Sequence, residues 1–200
     1  MKLHTQAIKW AIDQKVDIIS MSWNARQVPG ETGNVKDIED LENAIALAGK
    51  KILMFGAACD VKESSSTDKW YPCDFDKVRS IGATDIDFDV KKYVNMNKKV
   101  DYLFPGEQLL GRPGDQEVGN SGATALASGL AALVLSCMKI GRIELPEDKQ
   151  TWMDNIMTKV FNSDRNAKVV HVKHVLQRDE MKPVWNELMP LIEKFAAQKG

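Results

Sequence analysis

The sequence predicts an α/β fold in which a parallel sheet carries helices on both faces. Two segments, 16–23 (VDIISMSW) and 51–58 (KILMFGAA), are mostly apolar along their whole length, which is typical of strands buried on both faces. Segments with apolar residues at helical spacing alternate with these strands along the chain. Strands and helices that alternate in this way form parallel sheets covered by helices.

The first half of the chain supplies two helices and three strands. The first helix is capped by Thr5 and ends near Gln14, and the second ends at Gly49 in the C-cap position. Segment 78–85 (VRSIGATD) is a third short strand, and segments 91–97 (KKYVNMN) and 100–110 (VDYLFPGEQLL) suggest further short strands. The apolar stripes of the two helices are Ala7, Ile8, Ala11 and Ile12, then Ile38, Leu41, Ala44, Ile45 and Ala48.

The second half is mainly helical. One helix opens at Ser121 and can end at Gly141, and its apolar part is about 15 residues, shorter than the ~20 residues of a membrane span. Further helices follow Pro146 and begin at Pro183, with a short strand predicted at 167–177. The polar break at 162–166 predicts a boundary between a domain at 1–161 and a helical peripheral tail at 162–200.

Composition excludes several classes of partner and site. The 27 basic and 28 acidic residues are interspersed, so the chain presents no field for nucleic acid or an anionic membrane. The three cysteines form no CxxC pair, which argues against a disulfide framework and a zinc site, and we expect buried, reduced thiols. We predict no metal and no cofactor. The charged N-terminus does not resemble a signal peptide, which weakly favours the cytoplasm but leaves the compartment unknown.

Five segments in order resemble the second half of a subtilisin-like serine peptidase domain, a subtilase. They are AIKWAIDQKVDIISMSW, ILMFGAACD, WYPCDFDKVRSIGATD, VDYLFPGE and GNSGATALASGLAALVL. The ATALA run after the serine is most similar to fungal subtilases. The resemblance implies a three-layer subtilisin-like fold that is incomplete on its N-terminal side, and it implies a peptide or protein substrate.

The resemblance assigns the nucleophile to Ser121, which stands in Gly-Asn-Ser where the family has Gly-Thr-Ser. Unpaired N–H groups at a helix start favour negative charge, so this position suits a tetrahedral oxyanion. A serine there can also be only a helix cap. Asp60 matches the family's oxyanion-binding asparagine, and a carboxyl group donates a hydrogen bond only when it is protonated. Asp60 can alternatively be a residue that starts a loop.

The same resemblance assigns substrate binding to Ser22, Trp23 and Asn24, at the end of the first strand. In the family this edge pairs with an extended peptide through main-chain hydrogen bonds. The family has Leu-Gly or similar residues where this chain has Trp23 and Asn24, so the resemblance does not determine the shape of the substrate pocket. Trp23 can equally be an ordinary core aromatic residue.

The catalytic aspartate and histidine of the family should precede Thr5, and neither of their motifs is present. We interpret His4 as a surface residue. Subtilisin without its base loses ~10⁶-fold in turnover, so we expect this chain to be nearly inactive unless a missing N-terminal half is supplied. The other interpretation is a non-catalytic, peptide-binding or regulatory pseudoprotease module.

His171 and His174 allow two further alternatives. The first is an α/β-hydrolase esterase, because in that fold the catalytic histidine follows the serine in the chain, as His171 and His174 follow Ser121. The second is a metal site formed by the two histidines, although no carboxylate or cysteine stands at ligand spacing. Because a sheet without its leading strands exposes an apolar edge, we also expect the isolated chain to be poorly soluble.

Overall fold

The computed structural model describes residues 2–27, 35–49, 51–59, 67–85, 87–107, 119–159, 169–170, 189–190 and 192–194. The helices and strands in chain order are α1 (Lys2–Asp13), β1 (Ile18–Met21), β2 (Ala25–Gln27), α2 (Val35–Ala48), β3 (Leu53–Ala57), β4 (Lys69–Tyr71), β5 (Arg79–Thr84), β6 (Tyr102–Pro105), α3 (Gly119–Ile140) and α4 (Lys149–Lys159).

Four strands form the parallel sheet that the sequence predicts, in the order β1-β3-β5-β6. In the register of the three pairs, Ile18 lies opposite Leu53, Phe55 opposite Arg79, and Ala83 opposite Phe104. Every residue of β3 is buried, which explains why its sequence is apolar rather than alternating.

Helices cover both faces of the sheet, so the fold has the predicted three layers. Met54 packs with Ile8 and Leu41, which lie on α1 and α2. Its neighbours in β3, Leu53 and Phe55, belong to the other core, which contains the buried residues of α3 and α4. Successive side chains of a strand point to opposite faces, so β3 contributes to both cores.

The amino ends of β5 and β6 are joined to α4 through the carboxylate of Asp154. Arg79 donates to it through Nε at 2.9 Å and the Tyr102 hydroxyl donates at 2.9 Å. Burial, and then the negative charge of Asp154, raises the pKa of Tyr102. The hydrogen bond to Asp154 raises the pKa of Arg79. This group of three side chains fixes α4 on its face of the sheet.

Two helix starts differ from the predictions. Helix α1 begins at Lys2, so Thr5 is buried inside the helix and is not its cap. Helix α3 begins at Gly119, two residues before Ser121, and ends at Ile140. Gly49 has a φ of 59°, as a C-cap glycine should, but at the end of α3 it is Arg142, at 55°, that takes the left-handed conformation instead of Gly141.

Helix α3 is 22 residues long, and by length and composition it is long and apolar enough to cross a membrane, which the estimate of about 15 apolar residues did not predict. Half of its most apolar window is buried inside the protein. A core helix that packs on a sheet passes the same test of length and composition, and α3 contacts β1, β3, β5 and β6.

A two-stranded antiparallel ribbon was not predicted. Its strands β2 and β4 pair Ala25 with Tyr71 and Gln27 with Lys69. Conversely, segment 91–97 forms turns and not the suggested strand. Strands of three residues contain too few positions to show a period of two.

The described residues beyond 161 contact the core of the preceding part. The N–H of Val170 donates to the carbonyl oxygen of Leu103 at 2.9 Å, and Met189 and Ile192 belong to the core beneath α3. The boundary near 161 stays a prediction, because most of 162–200 lies outside the described residues, including the predicted strand at 167–177 except Val169 and Val170.

Candidate active site

The carboxyl ends of the parallel strands and the start of α3 meet at one edge of the sheet. A side chain at Gly106, directly after β6, would place its Cβ 2.6 Å from the carbonyl oxygen of Gly119 and 2.6 Å from Cβ of Ala83. Only glycine therefore allows the chain after β6 to lie against the first residue of α3. In open α/β sheets this edge is the usual place for a binding site.

Ser121 is the third residue of α3 and is half-buried at this edge. The first turn of a helix has N–H groups without partners in the helix, and its dipole favours negative charge. A cap residue precedes the first helical residue, so the structure does not place Ser121 at the cap position. Ser22 Oγ donates to the carbonyl oxygen of Ser121 at 3.3 Å, which brings the end of β1 beside the start of α3.

Asn120 precedes Ser121, and its side chain is completely buried. Oδ1 accepts a hydrogen bond from the N–H of Ala83 at 2.7 Å, and Nδ2 donates to the carbonyl oxygen of Ala58 at 2.9 Å. Sequence reasoning missed Asn120 as a site residue. The only signal in the sequence is the asparagine that replaces threonine in Gly-Thr-Ser, and this does not indicate which backbone groups it would reach.

The three residues predicted to bind substrate lie together after β1. Ser22 is exposed, and Nδ2 of Asn24 donates to the carbonyl oxygen of Ala58 at 3.4 Å. Oδ1 of Asn24 is buried and makes no hydrogen bond within the described part of the chain. Asn24 therefore joins the ends of β1 and β3.

Trp23 is half-buried against the core formed by α1 and α2, and its ring stacks on His4. The ring centroids are 4.0 Å apart with an angle of 31° between the planes. His4 is consequently half-buried, and the prediction of a surface histidine is wrong. The signal was weak because His4 and Trp23 lie on different elements and only the packing of α1 beside β1 brings them together.

The β2–β4 ribbon continues this edge beyond Asn24. The guanidinium of Arg26 lies over the ring of Trp70, 5.9 Å from its centroid, and Nη2 contacts Oδ2 of Asp68 at 2.8 Å. Asp68 is almost completely buried, whereas half of the Arg26 side chain is exposed. The ribbon therefore places a paired cation and an aromatic ring beside the segment that is predicted to bind substrate.

Cys73 lies behind the end of β3, and its Sγ donates to the carbonyl oxygen of Trp70 at 3.0 Å. Burial, followed by the nearby charge of Asp74, raises the pKa of Cys73 to about 12. Burial also raises the pKa of Tyr71, which is in the same segment. Neither group is suited to proton transfer near neutral pH.

Asp60, His171 and His174 lie outside the described residues, so the predictions made for them remain predictions. Within the described ranges, no group of three or more histidine, cysteine or acidic side chains could hold a metal ion. The three cysteines are free and buried, as expected.

Comparison with known sequences matches residues 1–173 to peptidase S8, the subtilase family. A curated relative, the intracellular serine protease of Paenibacillus polymyxa, is 35% identical over 136 residues, which are 64% of this chain and 39% of the relative. The major intracellular serine protease of Bacillus subtilis is 29% identical over 136 residues, 64% of this chain and 40% of the relative. Both relatives are bacterial, not fungal. The chain thus spans about two fifths of the length of these relatives.

Solved structures show the same fold. The prenylagaramide maturation protease PagA has a TM-score of 0.63 and 22% identity, over 92% of this chain and 66% of PagA. The nisin leader peptidase NisP of Lactococcus lactis has a TM-score of 0.65 and 15% identity, over 91% of this chain and 61% of NisP. About one third of PagA and two fifths of NisP therefore have no counterpart in the matched part.

Proposed function

The chain belongs to the subtilase family, and from this membership we propose that it supplies the part of a serine endopeptidase domain that carries the nucleophile, Ser121. The observation that carries this proposal is the contact between the start of α3 and the end of β1, where Ser22 Oγ donates to the carbonyl oxygen of Ser121. A reactive serine in the first helical turn thereby lies beside a strand end that can receive an extended peptide.

The proposed reaction is acyl transfer. The hydroxyl oxygen of Ser121 attacks the carbonyl carbon of the scissile peptide, its proton passes to a base, and the carbonyl oxygen becomes an oxyanion. The N–H of Ser121 and the positive end of the α3 dipole stabilise that oxyanion. Asp60 would contribute a further hydrogen bond in its protonated form. Ser22, Trp23 and Asn24 would hold the peptide by its main chain.

A base and a residue that orients it are also required, and we propose that another segment supplies them. The family's motifs for the aspartate and the histidine are not in this sequence. His4, the histidine that the described ranges contain, stacks on Trp23. Removal of the base from subtilisin itself costs ~10⁶-fold in turnover, so the chain alone should be nearly inactive.

The second candidate is a non-catalytic module that binds peptides or has a regulatory role. The stacking of His4 on Trp23 and the exposure of Ser22 favour it, because they leave a binding edge without placing a histidine as a base. The two candidates share the peptide edge and differ in the reactivity of Ser121.

A fluorophosphonate probe, which reacts with activated serines, separates the candidates. The test uses the full chain and a chimera in which this chain replaces the aligned part of the Paenibacillus polymyxa protease, whose remaining part precedes or follows it. We expect the chimera to be labelled at Ser121 and the chain alone to react at least ~10³-fold more slowly.

Two variants of the chimera control this measurement. Ser121→Ala should abolish labelling, and Ser128→Ala, which changes another serine of α3, should leave it unchanged. A folded chimera that binds peptide but is not labelled would refute the endopeptidase proposal and favour the binding module.

A further inference from the structure

The hydrogen bonds between β3 and β5 change at the edge that carries Ser121. The last regular bond joins the N–H of Ala58 to the carbonyl oxygen of Ile81 at 2.8 Å. In a parallel ladder, a residue bonds to two positions of its neighbour that are two residues apart, so the next bond would join the N–H of Ala83 to the carbonyl oxygen of Ala58.

The side chain of Asn120 occupies the place of that bond. Its Oδ1 accepts from the N–H of Ala83 at 2.7 Å, and its Nδ2 donates to the carbonyl oxygen of Ala58 at 2.9 Å. A carboxamide has the same donor and acceptor groups as a peptide unit, so it continues the ladder between two strands that separate at this point. We propose that Asn120 is a positioning residue, whose carboxamide bridges Ala58 and Ala83 in place of one direct hydrogen bond of the β3–β5 ladder and thereby fixes Ser121 against the sheet.

Burial makes this link costly to break. Asn120 is completely buried, and a buried N–H or C=O group that loses its partner destabilises the fold. The carbonyl oxygen of Asn120 itself accepts from Thr124 Oγ1 at 2.8 Å, one helical turn later. The amide of Asn24 is a second donor to Ala58, at 3.4 Å.

Ser121 is therefore held from two directions. On one side, the side chain of Asn120 bonds to the ends of β3 and β5. On the other side, the carbonyl oxygen of Ser121 accepts from Ser22 Oγ at the end of β1. The hydrogen bond from Asn120 Nδ2 also fixes the carbonyl group of Ala58, which precedes Asp60 by two residues in the chain. The inference rests on the proposed role of Ser121 as the nucleophile, and it explains how that residue would keep one position during a reaction that depends on geometry.

Amide hydrogen exchange of the full chain tests the inference through three variants. Asn120→Leu keeps a similar volume and removes both hydrogen bonds. Asn120→Asp keeps the acceptor for Ala83 but presents an oxygen to the carbonyl of Ala58. In both variants we expect the amides of Ala83 and of Ala123, the fifth residue of α3, to exchange roughly 10- to 100-fold faster, relative to the amides of β1 and α4. Ser128→Ala, a matched control that removes a side-chain hydrogen bond one turn further along α3, should change these relative rates little.

Acidification distinguishes positioning from simple packing. A protonated carboxyl group can donate through its hydroxyl and accept through its carbonyl oxygen, which are the two kinds of bond that the amide makes here, so the slow exchange of Ala83 should return in Asn120→Asp as pH falls. Asn120→Leu should show no such rescue. The groups that bond to the Asn120 carboxamide, the main chain of Ala58 and Ala83, do not titrate. Each variant is compared with the unmodified chain at the same pH.

Unchanged exchange at Ala83 and Ala123 in both Asn120 variants would overturn the positioning role, and so would an equal acceleration of all core amides. Fluorophosphonate labelling of the chimera is a separate measurement. If the chimera is not labelled while Ala83 responds as stated, the proposed function fails and Asn120 remains the residue that positions the start of α3.

Discussion

At the scale of single residues, burial determines the chemistry of the thiols near the candidate site. Cys73 lies beneath Gly56, where a side chain would place its Cβ 2.9 Å from Val78 and 3.5 Å from the Cα of Cys73. Burial and Asp74 raise the pKa of Cys73 to about 12, and burial raises the pKa of Cys137 as well. Since the thiolate is the reactive form, a buried thiol with a raised pKa is inert.

We predict that iodoacetamide does not modify Cys73 in the folded chain near neutral pH and modifies it readily in denaturant, as measured by mass spectrometry. The raised pKa of Cys73 also makes the free energy of unfolding depend on pH. The folded pKa of about 12 exceeds the ordinary value of 9.0, so the contribution of Cys73 to stability is complete below about pH 9 and is lost as pH rises towards 12. Rapid modification of Cys73 without unfolding would contradict the described burial.

At the scale of elements, the end of α3 departs from the usual chemistry of a helix terminus. The N–H of Ile143 donates to the carbonyl oxygen of Met138 at 2.9 Å and that of Arg142 to Lys139 at 3.2 Å, which is the Schellman pattern. The left-handed position of this motif, with a φ of 55°, belongs to Arg142. Gly141 cannot be replaced freely, because its Cβ would lie 2.6 Å from Cε of Met189.

Arg142→Gly should stabilise the chain by about 0.5–1 kcal/mol, because glycine adopts a positive φ without the strain of a side chain. Gly141→Ala, the neighbouring control, should destabilise it because the added methyl group would displace Met189. Urea unfolding followed by circular dichroism gives both values. A loss of stability in Arg142→Gly would show that contacts of the arginine outweigh the backbone strain.

At the scale of the whole molecule, one edge of the sheet is open within the described residues. Strand β1 has a single neighbour, β3, and Ser20 is exposed. On α3, a side chain at Gly129 would meet no atom within 4 Å, and Leu126 is 39% exposed. A cavity of about 750 Å³ lies between the start of β1 and the end of α3, lined by Asp17, Ile18, Ala132, Leu135, Ser136, Lys139, Arg142, Ile143, Glu144 and Leu145. An edge strand with a single neighbour, such as β1, can pair with a strand of another chain.

We therefore predict that the isolated chain associates as its concentration rises, measured by size-exclusion chromatography with light scattering. Ser20→Lys should reduce association, because a charged side chain on an edge strand opposes pairing between edges. Asn97→Lys adds the same charge to an exposed turn outside the sheet and should have little effect. A monodisperse monomer that melts cooperatively at all concentrations would contradict this prediction.

The sequence by itself determined the strands of the parallel sheet, the helices on its two faces and the place of Ser121 near the start of α3. These features depend on apolar patterns within short segments, so they can be recognised without knowing the fold. The predicted helix starts at Thr5 and Ser121 lie two to four residues after the observed ones, because several neighbouring residues can serve as caps.

Only the tertiary structure decided the contacts that build the candidate site. Asn120 bonds to Ala83 and Ala58, which are 37 and 62 residues away in the chain, and Ser22 bonds to Ser121 across 99 residues. The stacking of His4 on Trp23 and the β2–β4 ribbon likewise join separate segments. The physical reason is that a hydrogen bond or a stacked pair depends on which surfaces the packed elements bring within a few ångströms, and no periodicity along the chain records that arrangement.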